Sequence, residues 1–188
     1  VTTATGTWKS PLLGKLAPEL DRIEPRTRVA VTGLHEAKFR ELPPDGGWSV
    51  AQVFEHLCRS NLGYLDGPLT EAVTKTVARG PSDREWRPSL IGGWLAQSLV
   101  EGTKPLPSPK LFRVESESRA NVVDEFLATL RRTRELMQQA DGHDLRIMFA
   151  SPASPLFRLN LGDAFRVIVV HAHRHLAQAE RTRRAVGM

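Results

Sequence analysis

Apolar residues recur at three- and four-residue intervals through most of this chain, the signature of helices with one buried face, and alternating runs of β-branched residues are few. The first helix is expected from about Pro18, a favourable first-turn proline, to Glu41. Leu20, Ile23, Leu34 and Ala37 form its stripe, and Pro25 marks a kink or restart. Residues 1–14 read as a tail. The run Pro43-Pro44-Asp45-Gly46-Gly47 ends that helix. The second helix has the clearest start: Ser49 at the N-cap and Gln52 three residues on make a capping box, with Trp48 and Val53 placed for a hydrophobic staple. Val50, Val53, Leu57 and Tyr64 share its face. The pattern resumes after a break at Gly67-Pro68, through Leu69, Val73 and Val77.

Residues 80–117 break the period. Gly80-Pro81, Pro88, Gly92-Gly93 and the run Lys104-Pro105-Leu106-Pro107-Ser108-Pro109 predict an irregular excursion, interrupted by a short helix around Ile91 to Val100. A segment of that length is often a lid or a packing arm. A third helix, 118–140, carries Val123, Phe126, Leu130 and Met137, and Asp141-Gly142-His143 closes it. A loop with Pro152 and Pro155 follows. The fourth helix opens at Asn160, with Asp163 in its first turn, and runs to about Arg184. Four amphipathic segments, each roughly 30–35 Å long, describe an all-α fold, a four-helix bundle in one domain spanning 15–188.

Composition narrows the classes. A chain of 188 residues with 40% apolar and 25% charged residues fits one globular domain. No stretch approaches the roughly 18 consecutive apolar residues of a membrane helix. Val1 to Thr7 lacks a basic cluster followed by an apolar run, so no secretory signal is expected there; the chain does not begin with Met, which leaves an earlier segment open. The single cysteine, Cys58, fits a cytoplasmic protein. The formal charge is +5, but its arginines are dispersed, as in Arg131-Arg132-Thr133-Arg134 and Arg181-Thr182-Arg183-Arg184, and aromatics are only 6%. Neither nucleic acid nor a membrane is therefore expected as a partner.

The candidate chemistry lies in histidines. At about 100° per residue, His171 and His175 lie one turn apart on the stripe of the fourth helix that also holds Leu161, Ala164, Ile168, Gln178 and Thr182. That spacing lets two ring nitrogens reach one ion; it also fits two half-buried histidines bonded to neighbouring helices. His173 falls on nearly the opposite side and is not a candidate ligand. His56, two turns into the second helix, sits at the edge of its apolar face, from which it looks into the same interior or is a core residue satisfied locally.

Two blocks together resemble the DinB-like superfamily, the DinB/YfiT-like metalloenzymes. One is Trp-Ser-x-x-Gln-x-x-x-His-Leu, here Trp48 to Leu57; the other is the late helix His171-Ala-His-Arg-His175-Leu-Ala-Gln178. Their order, separation and element type agree over about residues 15–185. The excursion at 80–117 is long for the family's shorter members. The resemblance implies a four-helix bundle with His56, His171 and His175 as ligands of one divalent metal ion, zinc or nickel foremost and iron next. It also implies a metal-dependent thiol S-transferase or hydrolase acting on a small-molecule substrate, with a low-molecular-weight thiol as co-substrate, in a homodimer. A non-catalytic metal-containing binding or stress-response module, or a dimerisation protein, is the alternative.

No further catalytic group stands out. Gln178 is a candidate pocket residue or an interhelical hydrogen-bonding group. Asp163 reads as a first-turn charge, Glu55 and Glu180 as solvent-facing or peripheral, and Cys58 as packing. Trp86 and Trp94 wall a pocket or anchor the excursion.

Overall fold

The computed structural model describes residues 7–104, 107–114 and 118–187. Parts of the expected tail and excursion, residues 1–6, 105–106 and 115–117, lie outside the described residues. The fold is mostly helical with one small hairpin. Helices α1 (Pro11–Asp21), α2 (Ile23–Val31) and α3 (Glu36–Arg40) come first, then α4 (Val50–Leu65) and α5 (Pro68–Ala78). α6 (Leu90–Ser98) and a 3-10 turn at Lys110–Phe112 precede α7 (Val122–Ala140), strands β1 (Met148–Ser151) and β2 (Ser154–Asn160), and α8 (Leu161–Ala185).

The first helix differs from its expected outline. Helix begins at Pro11, inside the stretch read as a tail, because Ser10 supplies an N-cap and Pro11 suits the first turn. The amides of Lys9 and Ser10 also donate to the Asp141 carboxylate, which docks this start on the end of α7. Helix then stops at Asp21 and restarts at Ile23, where Pro25 falls in the new first turn. Gly33, at φ 77°, turns the chain again before α3. Leu20 and Ile23 are buried as expected, whereas Ala37 is exposed.

α4 packs on α7 and α8, and α1 and α2 pack across α8 and α7. Their shared core holds Leu13, Ile23, Phe54, Leu57, Phe126, Met137, Phe165 and Leu176. Among the described residues no helix is long and apolar enough to cross a membrane.

The all-α expectation needs one correction. The loop expected around Pro152 and Pro155 is an antiparallel hairpin, with Met148 opposite Asn160 and Ala150 opposite Arg158. Pro152 takes the turn. The register shifts after Ala150, the irregularity of a bulge. The residues before β1 then serve α8 directly, since the carbonyls of Ile147 and Leu145 accept from Leu161 and Gly162, the first amides of that helix.

α6 is fastened over the same end of α8. Ser89 caps α6 and also donates from its amide and hydroxyl to the fully buried Asp163 carboxylate, at 3.0 and 2.6 Å. Gly92 makes this approach possible: a Cβ there would stand 2.2 Å from Asp163, whereas one on the adjacent Gly93 would meet only Pro88 at 3.5 Å. Both glycines are helical, so propensity alone favours alanine at each by about 1 kcal/mol. Gly93→Ala is therefore expected to be neutral or stabilising and Gly92→Ala to cost roughly 1–3 kcal/mol, read from urea unfolding midpoints; equal midpoints for the two variants would contradict this packing.

Candidate metal centre

Two capping boxes set the register of the helices that carry the histidines. On α4 the Ser49 hydroxyl accepts from the Gln52 amide at 3.2 Å while the Gln52 side chain accepts from the Ser49 amide at 3.0 Å. On α8 Asn160 and Asp163 make the reciprocal pair. With both starts fixed, α4 and α8 pack side by side and bring residue 56 opposite residues 171 and 175.

The three rings converge. Centroid separations are 5.0 Å for His56 and His171, 4.7 Å for His56 and His175, and 4.5 Å for His171 and His175. Their candidate ligand nitrogens all lie within 4.8 Å of one another, and the Nε2 atoms of His56 and His171 are 3.2 Å apart. Two nitrogens about 2 Å from one tetrahedral ion stand roughly 3.3 Å from each other. His56 is buried; His171 and His175 are half-buried, so the cluster faces outward on the α8 side.

Two of the rings have their tautomer set from behind. His56 Nδ1 donates to the Phe112 carbonyl at 2.9 Å, and His175 Nδ1 donates to Gln178 Oε1 at 2.8 Å. Each proton placed on Nδ1 leaves the Nε2 lone pair free, the arrangement a metal-binding imidazole requires. Trp48 closes one side, its ring centroid 4.8 Å from His56 and 6.0 Å from His175, nearly parallel to the latter.

The environment keeps all three imidazoles neutral. Burial lowers the His56 pKa, and the Phe112 carbonyl opposes this only in part. Burial, followed by the charges of His175, His56 and Arg174, takes His171 well below its ordinary value. Burial and the neighbouring His56 push His175 down to about 3, against the hydrogen bond to Gln178.

A model of the DinB superfamily matches residues 19–179, a span that includes the three histidines. The chain belongs to the DinB superfamily. Comparisons with curated proteins and with solved structures return no match.

The remaining candidates distribute themselves around this DinB-superfamily core. Gln178 holds His175 through its Oε1. His173 lies away from the cluster, accepting from Arg26 and donating to the Glu19 carbonyl. Asp163 is more than a first-turn charge, since it ties the caps of α6 and α8 together. Glu55 corrects the solvent-facing expectation: it is buried on the far side of α4, bound by Arg59 and Arg119. Burial raises its pKa, but hydrogen bonds from those arginines outweigh this and hold it below the usual value. Glu180 is half-buried against Arg26. Cys58 is buried, burial raises its thiol pKa, and it reads as packing.

The two tryptophans between α5 and α7 do not wall the cluster. Trp86 donates to Asn160 at 2.9 Å, anchoring the chain at the start of α8, and Trp94 is half-exposed beside Phe157. Sequence reading missed Trp48 as the wall, although its place one residue before the N-cap was visible. It also missed the Phe112 carbonyl, a backbone group without a sequence signal.

The pKa directions give a test on metal-free protein. The unfolded chain takes up protons on these rings near pH 6.5 while the folded cluster resists them down toward about 3. Stability is thus complete above about pH 6.5 and falls as pH drops through that window. Urea unfolding of His175→Gln should show a shallower decline between pH 6.5 and 4.5 than the parent; parallel curves would contradict the assignment.

Proposed function

We propose that His56, His171 and His175 hold one divalent metal ion through their Nε2 atoms, and that the chain is a metal-dependent enzyme acting on a small molecule. Thiol S-transfer is the leading reaction and hydrolysis the second. The observation that carries this reading is the composition of the cluster: three neutral imidazoles, with no fourth His, Cys, Asp or Glu joining it among the described residues. A closed structural zinc site takes four protein ligands, and this fold has an apolar core of its own. The donor set suits zinc or nickel first and ferrous iron next.

When bound, a divalent ion supplies Lewis acidity at an open position, lowering the pKa of a thiol or water there. The protein's part is to hold and enclose. Neutral ligands leave the ion's double charge uncompensated. Phe112 and Gln178 keep two rings aimed, and Trp48 offers an apolar wall that excludes water. In this reading α1–α2, α4, α7 and α8 form the four-helix bundle, and the segment between α5 and α7 is its lid: it holds His56 through Phe112 and meets α8 through Arg174. A low-molecular-weight thiol is the expected co-substrate.

Elemental analysis of purified protein should find close to one zinc or nickel per chain. His171→Ala should abolish it, and Gln178→Leu should weaken affinity roughly 10–100-fold in a chelator competition. Metal retained at full stoichiometry in His171→Ala would overturn the proposal.

A further inference from the structure

One cation beside the histidine cluster, close enough for its charge to bear on His171 and His175, is held by neutral groups. Arg174 lies on α8 between His171 and His175 and is half-buried. Its Nη1 donates to the carbonyls of Ser98 and Val100, at 3.3 and 2.8 Å, and to the Thr103 hydroxyl at 2.5 Å. Its Nη2 donates to the Thr103 carbonyl at 2.9 Å. These contacts cap the end of α6 and fix the guanidinium, yet every acceptor is neutral. Several half-buried arginines here are paired with carboxylates instead, Arg26 with Glu180, Arg59 with Glu55, Arg132 with Asp66 and Arg134 with Asp21.

A guanidinium has five N–H donors in a rigid fork. Those contacts engage both Nη atoms, while the Nε–H of Arg174 has no protein partner among the described residues. Among the described residues no carboxylate bonds Arg174. Glu101, in the same segment as the acceptors of Arg174, pairs with Arg181 at 3.1 Å. The histidines themselves carry no compensating negative charge. Among the described residues the site therefore combines a fixed cation with neutral ligands and no carboxylate in the ligand cluster.

Resting on the metal-dependent reading above, we propose that the thiol taken by this site bears a carboxylate, and that Arg174 would bind that carboxylate with the thiol sulfur at the metal's open position. The carboxylate accepts from the unengaged edge of the guanidinium, and the contacts to Ser98, Val100 and Thr103 hold that edge in place. Arg174 is thus a specificity-determining residue, and the chain after α6 is the brace that orients it.

The test uses cobalt-loaded full-length protein and two thiols of matched length, 4-mercaptobutanoate and its neutral amide, 4-mercaptobutanamide. Thiolate-to-cobalt absorbance reads binding, elemental analysis reads metal content, and circular dichroism reads folding. The butanoate should bind at least about tenfold more tightly than the amide, as a charge-assisted hydrogen bond gives. Arg174→Gln should cut this preference to under about threefold with cobalt content and amide affinity retained, and Arg174→Lys, which keeps the charge but loses the fork, should fall between. No preference in cobalt-loaded parent protein, or a full preference surviving in Arg174→Gln, overturns the carboxylate assignment alone. Should the Gln variant not fold, a Lys variant that matches the parent overturns it. Protein that takes up no cobalt overturns the metal reading and this inference together.

Discussion

An imidazole can offer a lone pair to an ion only while it is neutral and only while its other nitrogen has somewhere to put its proton. That constraint organises the centre of this molecule. His56 and His175 each give the Nδ1 proton away, one to a backbone carbonyl and one to an amide side chain, and so present Nε2 inward. Burial supplies the other half by removing the stabilisation that water gives to imidazolium. His56 and His175 thus aim two Nε2 lone pairs at one place, where His171 joins them. Only one of these nitrogen pairs, His56 with His171, is close enough to share a proton.

The helices are built to bring those rings together. The capping boxes at Ser49 and Asn160 fix where α4 and α8 begin, and hence which way residues 56, 171 and 175 face. The start of α8 is further secured by the Leu145 and Ile147 carbonyls, by Trp86 and by the Ser89–Asp163 contact. Much of the chain between α5 and α7 is therefore attached to the body at several points. It contributes the Phe112 carbonyl to one side of the site and receives Arg174 on the other.

How far this was legible in the sequence follows from the kind of interaction involved. Helix starts were legible because capping uses side chains at fixed offsets: both boxes stand where Ser49-x-x-Gln52 and Asn160-x-x-Asp163 put them. The His171–His175 stripe followed from helical period alone, and its meeting with His56 followed from the two blocks that resemble the superfamily. The hairpin was hidden by Pro152 and Pro155, which argue against a strand, although Pro152 falls in the turn. The burial of Glu55 was hidden because Arg119 reaches it from the far side of the excursion. The division of the first helix was half visible, in Pro25 but not in the cap at Ser10. The Phe112 carbonyl was invisible in principle, since every residue has one.

The proposed centre requires three imidazoles to share one ion. X-ray absorption at the edge of the bound metal reads this directly. It predicts three nitrogen donors at about 2.0–2.1 Å with the outer-shell scattering of imidazole rings. A sulfur donor near 2.3 Å from Cys58, or fewer than three imidazoles about the ion, would contradict it.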